Sequence, residues 1–255
     1  MKILIIPDIH GRTFWKEAKD FDGTIVFLGD YLDPYTHYEN ITKKEALENF
    51  KEILEFAKSN PNVILLTGNH DMTYFISSDI CECRTDYDNF YEIKNLFRDN
   101  AKLFKLAYSF EHEGENFLLT HAGVHKNWLK DCGIESENPI VIADILNEKF
   151  DDIIANNYNR MHEFIKRLSD VSYYRGGWDS YGSCVWADIR EYEKIEVFSN
   201  TVEHYDFYQI IGHTRLEKGC PYIGKYIACI DAREAYTINE IIKRRNNIVK
   251  VNENK

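Results

Sequence analysis

Five short apolar runs, each closed by a polar residue able to hold a metal ion, constrain this 255-residue chain more than any other feature. The first is Ile3-Leu4-Ile5-Ile6, which stops at Pro7 and is followed by Asp8 and His10. The others are Thr24-Ile25-Val26-Phe27-Leu28 before Asp30, and Val63-Ile64-Leu65-Leu66 before Asn69 and His70. Then come Asn116-Phe117-Leu118-Leu119 before His121, and Phe207-Tyr208-Gln209-Ile210-Ile211 before His213. Runs of this length, rich in Ile, Val, Leu and Phe, read as buried strands. In an open α/β sheet, ligands bind in the crevice outside the carboxyl ends of the strands. One Asp or His at such a place is ordinarily a turn residue or a hydrogen-bonded imidazole. Five at equivalent places point to one shared site.

The stretches between the strands read mostly as helix. Residues 12–20 form a short one, and residues 42–58 an amphipathic one with Leu47, Phe50, Ile53, Leu54 and Ala57 on one face. Asn60-Pro61 ends that second helix. Residues 87–105 are expected to be helical, 103–110 read equally as helix end or strand, and 124–168 are mostly helical. Tyr173 to Trp178 open an irregular, aromatic-rich stretch. Residues 226–230 and 235–238 are expected to close the chain as a β-hairpin, with a frayed, solvated basic tail after Ile242. The class is therefore α/β (α+β), in a single domain over residues 1–255. Within it, residues 124–195 form a helical and irregular insertion that shapes the substrate pocket.

A net charge of −11 disfavours non-specific binding to a nucleic-acid backbone or an anionic membrane. It leaves room for a small phosphorylated substrate if metal ions reverse the sign locally. Every apolar run is too short to cross a bilayer, and Met1-Lys2 leads straight into a strand without a signal-peptide core. The expected location is the cytoplasm. The six cysteines are scattered; Cys81 and Cys83 make only a weak metal pair, and reduced thiols are the expected state.

The donor set is Asp8, His10, Asp30, Asn69, His121 and His213. Carboxylates mixed with imidazoles suit Mn, Fe, Zn or Ni, and without a thiolate a structural zinc site is disfavoured. Six donors exceed the need of one tetrahedral ion. Two ions sharing a carboxylate would lie roughly 3.5–4 Å apart, bind a phosphate oxygen and turn a bridging water into hydroxide near neutral pH. His70, beside Asn69 but aimed elsewhere, would be kept protonated by a nearby carboxylate and protonate the leaving group.

Asp8-x-His10, Gly29-Asp30-x-x-Asp33, Gly68-Asn69-His70-Asp71, His121-Ala122-Gly123 and Gly212-His213-Thr214 resemble the signature of the calcineurin-like metallophosphoesterases. The likeness is nearest to the phosphoprotein phosphatase branch and its bacterial and phage relatives. It implies a four-layer fold, a β-sandwich of two mixed sheets flanked by helices. It places Asp8 and His10 on a first metal, Asp30 as the bridge, and Asn69, His121 and His213 on a second. His70 would be the general acid, with Asp33 as its partner. Manganese is the first expectation for both ions, ahead of Fe, Zn or Ni.

The chain departs from that branch at two arginines. Pro34 and Tyr35 stand where Arg-Gly is usual, and Thr67 stands where an Arg precedes Gly-Asn-His. A guanidinium is the natural phosphate clamp, so a substitute is expected. Arg175, flanked by glycines, comes first and is counted with the catalytic residues; Arg190 comes second; Arg12 and Arg215 adjoin ligand motifs. The aromatics Trp128, Tyr158, Tyr173, Tyr174, Trp178 and Tyr181 either stack on a substrate ring or belong to the core. The expected activity is a phosphomonoesterase of the serine/threonine protein phosphatase type. A nucleotide phosphodiesterase or dinucleoside polyphosphate hydrolase is the alternative, and a metal-free scaffold the remote one.

Overall fold

The computed structural model describes residues 1–76, 84–159, 161–192 and 205–253. Its strands are β1 (Ile3–Ile6), β2 (Thr24–Phe27), β3 (Val63–Leu66), β4 (Phe104–Lys105), β5 (Ala107–His112), β6 (Glu115–Thr120), β7 (Tyr208–Ile211), β8 (Tyr222–Ile223), β9 (Ile227–Cys229) and β10 (Tyr236–Thr237). Its helices are α1 (Thr36–Glu39), α2 (Lys43–Ser59), α3 (Asn69–Phe75), α4 (Phe90–Asp99), α5 (Lys126–Asp131), α6 (Pro139–Ala155), α7 (Glu163–Leu168) and α8 (Ile238–Glu253). One sheet runs β10-β1-β2-β3-β4 and the other β5-β6-β7-β9-β8. Both are mixed: β1 to β4 are parallel with β10 antiparallel, and β6, β7 and β9 are parallel with β5 and β8 antiparallel.

Strand alternation builds the layers. Ile3, Ile5, Val26 and Leu28 from the first sheet meet Phe117, Leu119, Tyr208 and Ile210 from the second in one apolar layer. The intervening Ile6, Ile25, Phe27 and Leu118 turn outward into the cluster formed with the helices. Each sheet is thus buried on both faces, which gives helix, sheet, sheet and helix. On the outer side, α2 starts from a capping box between Thr42 and Glu45 and lays Phe50 against Phe97 of α4, ring centres 4.6 Å apart.

Three expectations change. The stretch 87–105 is helical only over α4, then makes a short 3-10 turn and enters β4. The ambiguous segment that follows is two strands in different sheets. Leu106, at the crossing, would lose its ladder partners there. Asn147 of α6 replaces them, its Oδ1 accepting from the amides of Leu106 and Ala107.

The closing hairpin does not form, because Ile227–Cys229 pairs with β7 and β8 while Tyr236 pairs with Ile5 in the other sheet. Both segments are apolar enough for the sandwich interior, and the partner is set by long-range packing rather than by the turn between them. The basic tail is likewise not frayed from Ile242. It continues as α8, where the Arg245 guanidinium pairs with Glu115 and lies 4.5 Å over the ring of Tyr208. The Cys81–Cys83 pair lies outside the described residues. Among the described residues no helix is long and apolar enough to cross a membrane.

Candidate metal centre

Every predicted donor sits just past the carboxyl end of a strand, and the strand ends converge. Asp30 Oδ2 lies 3.5 Å from His10 Nε2 and 3.5 Å from His121 Nε2, so one carboxylate oxygen faces both sides of the cluster. Asp8 Oδ2 is 3.9 Å from His10 Nε2. On the other side, His121 Nε2 is 3.0 Å from Asn69 Oδ1 and 3.1 Å from His213 Nδ1. Donor atoms of Asp30, His121 and His213 fall within 4.8 Å of one another, as do those of His10, Asp30 and His70. Asp8, His10, Asp30 and His121 are buried, and His213 is partly buried.

The backbone bends hard to do this. His10, Asp30, Asp33 and His213 all adopt left-handed conformations, with φ of 43°, 53°, 57° and 63°. Such conformations cost about 1–3 kcal/mol each for residues other than glycine and persist only where the surroundings enforce them. Here the Asp30 carbonyl accepts from the amides of Ile9 and His10 at 3.0 and 2.7 Å. Asp71 accepts from the amides of Asp30, Tyr31 and Gly68. The His213 amide donates to Asp8 Oδ1 at 2.9 Å, and the His70 amide to Asp30 Oδ1 at 3.0 Å. Two glycines make room: a Cβ on Gly68 would stand 2.1 Å from Asp30 Oδ1, and one on Gly212 2.1 Å from Asp8 Oδ1.

Hydrogen bonding fixes the tautomers. His10 Nδ1 donates to the Leu32 carbonyl and His121 Nδ1 to the Leu28 carbonyl, each at 2.8 Å. Both Nε2 lone pairs then face other acceptors: carboxylate oxygens for His10 and the Asn69 amide oxygen for His121. Buried acceptors aimed at acceptors repel one another unless a cation lies between them, so the donor set fits divalent metal ions. The electrostatics agree. Burial pushes the imidazoles of His10 and His213 well below their usual range, keeping them neutral as metal ligands must be. Burial works against the ionised Asp30 carboxylate, but the surrounding imidazoles in their charged forms, His121 first, and the His70 amide outweigh it and hold its pKa at about 2, so a positive charge in this place, imidazolium or metal, is what keeps it ionised. Burial raises Asp8, which sits beside Asp30.

His70 occupies the edge of this cluster. Its Nδ1 is 2.8 Å from Asp33 Oδ2, and Asp33 also accepts from the Tyr74 hydroxyl. Burial lowers the His70 pKa, but Asp30 and Asp33 prevail and leave it raised, which favours a protonated imidazole.

The four predicted arginines divide. Arg175 reaches the centre, with Nη2 on the His213 carbonyl at 3.2 Å and on Thr214 Oγ1 at 2.6 Å, and Nε 2.9 Å from Asp188. Arg190 is held by the same Asp188 and by the Tyr174 carbonyl. Arg12 forks onto Glu39 at 2.7 and 3.0 Å and also contacts the Asp8 carbonyl. Arg215 shares Glu39 at 3.2 Å. Of the aromatics, Trp128 and Tyr158 are core, whereas Trp178 is 98% and Tyr173 74% exposed. Asp71 stands in a quoted motif without a role being read from it, and Tyr74 and Arg84 were missed because no spacing ties them to the strand ends.

The calcineurin-like phosphoesterase family model matches residues 1–214. Among solved structures, a point variant of a cold-active protein tyrosine phosphatase superposes with a TM-score of 0.57 at 15% identity, covering 93% of this chain and 75% of that one. The cold-active protein-tyrosine phosphatase of a psychrophilic Shewanella species gives 0.54 at 16%, covering 91% and 71%. A Saccharomyces cerevisiae protein serine/threonine phosphatase gives 0.44 at 16%, covering 90% and 66%. No curated protein matches the chain. With the family match spanning most of the sequence and the strand-end donors gathered as that family requires, the chain belongs to the calcineurin-like phosphoesterases and is a metal-dependent phosphoester hydrolase.

Proposed function

We propose that the protein is a phosphomonoesterase of the serine/threonine protein phosphatase type with a dinuclear centre. The observation that carries this is the placement of His70, backed by Asp33 at 2.8 Å and standing against a donor cluster that shares Asp30. Asp8 and His10 would hold one ion and Asn69, His121 and His213 the other, with Asp30 shared between them; manganese is the first expectation for both. When bound, such ions activate water and neutralise charge on the phosphoryl group. Asp33 keeps His70 protonated and oriented, and His70 delivers its proton to the departing alkoxide. Arg175, held by Asp188 against the His213 carbonyl, presents its guanidinium to the substrate phosphate. The segment 124–195 carries Arg175 and Trp186, whose ring packs edge-on to His213, and it shapes the pocket. The free thiols of Cys132, Cys184, Cys220 and Cys229 fit a reducing, cytoplasmic setting.

A second reading, a phosphodiesterase or dinucleoside polyphosphate hydrolase, draws on Pro34 and Thr67 at the usual arginine positions and on the commitment of Arg12 to Glu39. Rates on p-nitrophenyl phosphate and on bis(p-nitrophenyl) phosphate, with Mn and with a chelator, separate the two. The monoester is expected to be turned over faster, and chelation to abolish both activities. Faster diester turnover would replace the first reading by the second.

A further inference from the structure

Three guanidinium groups surround one ring at the rim of the metal centre. Arg84, Arg215 and Arg12 lie 3.7, 4.4 and 5.7 Å from the centre of Tyr35, which itself packs edge-on to His10 at 5.2 Å. They are not equivalent. Arg12 and Arg215 both pair with the single carboxylate of Glu39. Arg84 is exposed, and among the described residues no carboxylate pairs with it. Its Nε donates to the Asp33 carbonyl at 3.2 Å, and its Nη2 stands 3.5 Å from His70 Nε2.

We propose that Arg84, held flat on Tyr35, is a substrate-contacting residue that binds the phosphoryl group beside His70 and makes the site prefer dianionic monoesters. This rests on the hydrolase reading above. With His70 Nδ1 engaged by Asp33, Nε2 faces Arg84 Nη2, and once the imidazole is protonated both nitrogens are donors that one anionic oxygen can bridge. An oxygen about 2.8 Å from each nitrogen fits at the apex of that 3.5 Å pair, within the usual range for charge-assisted bonds. Arg175 contacts the His213 carbonyl, at the opposite side of the cluster from His70, so the two guanidiniums bracket the centre. Tyr35 replaces the family glycine and acts as a positioning residue: its ring supplies a face on which a planar guanidinium stacks, which narrows the orientations Arg84 samples. A guanidinium at this place, with no carboxylate among the described residues paired to it, favours a doubly charged phosphoryl group over a singly charged diester.

The test titrates inorganic phosphate into Mn-loaded protein by calorimetry and measures kcat/KM on p-nitrophenyl phosphate and its bis-ester. Arg84→Ala is expected to weaken phosphate binding and monoester kcat/KM by roughly 10–100-fold, the worth of a charged hydrogen bond, with diester kcat/KM changed less than about 3-fold. Metal content is expected to stay at the wild-type level. Tyr35→Leu should lose the same affinity, Tyr35→Phe should restore it, and Tyr35→Leu in Arg84→Ala should add nothing. Phosphate affinity unchanged in Arg84→Ala overturns the inference. Wild-type protein inactive on both esters would overturn the hydrolase reading instead, while the phosphate titration would still decide for or against Arg84.

Discussion

His70 Nδ1 is paired with Asp33 Oδ2 at 2.8 Å, and Asp33 is anchored in turn by the Tyr74 hydroxyl. The imidazole is therefore oriented before any substrate arrives, with its proton on the side of the donor cluster. His70→Asn keeps a side chain of similar reach but has no proton to deliver. Turnover of an ester with a poor leaving group is expected to fall by roughly 10²–10⁴-fold, and of one with a good leaving group by much less. Metal analysis of the same variant separates the alternatives. Because a His70 nitrogen also lies within 4.8 Å of donor atoms of His10 and Asp30, loss of metal in step with activity would make His70 a ligand.

Asp30 differs from the other donors in facing both sides. Its Oδ2 is equidistant, at 3.5 Å, from imidazole nitrogens of His10 and His121, and its Oδ1 is occupied by the His70 amide. Asp30→Asn preserves shape and removes the charge that both ions would share. Metal content measured after purification without chelator is expected to fall for both ions together. Loss of only one would show that Asp30 does not bridge.

Much of this was legible in the chain. The strand runs, the donors behind them and the helix over 42–58 were readable because each rests on local pattern: apolar runs of strand length, polar residues at their ends, and one apolar helix face closed by Asn60-Pro61. What was not legible depends on distant pairing. Tyr236 reads as a hairpin partner of the Ile227 segment, yet it pairs with Ile5 at the other end of the sequence. Arg84 carries no motif, and only the fold brings it to Tyr35, nearly fifty residues earlier. Asp71 gains meaning only once three amides from two loops are seen converging on it.

Away from the donor cluster, Glu191 provides a pH signature. Its two carboxylate oxygens accept from the amides of Asp188 and Gly182, closing the turn that aims Asp188 at Arg175 and Arg190. Burial, with help from the charge of Asp188, raises its pKa from an ordinary 4.5 to about 7. Between those values the folded protein retains a proton that the unfolded chain has released, so the contribution of Glu191 to stability is fully present below about 4.5 and is lost as pH rises towards 7. The span is worth ~3 kcal/mol as an upper figure. Glu191→Gln removes the titration and should flatten this decline in urea unfolding series at pH 5 and pH 7.5. Its lost acceptor imposes only a constant offset. An equally steep decline in the variant would place the titrating group elsewhere.

Gly212 tests whether the metal centre depends on close backbone approach. A methyl there would lie 2.1 Å from Asp8 Oδ1, the oxygen that accepts the His213 amide at 2.9 Å. Gly212→Ala must therefore displace the Asp8 carboxylate, the His213 backbone or both, each belonging to a different side of the donor cluster. Metal affinity is expected to fall by roughly 10–100-fold, as when an outer hydrogen bond to a ligand is lost, with ~1–3 kcal/mol of stability from the clash. Gly133→Ala is the matched control. Gly133 has φ +72° and nothing within 4 Å of its added methyl, so that variant pays backbone strain without touching a donor. Its unfolding midpoint should drop while its metal affinity stays at the wild-type value. If Gly133→Ala lost metal as readily as Gly212→Ala, the loss would reflect general destabilisation and not the packing of Gly212 against Asp8.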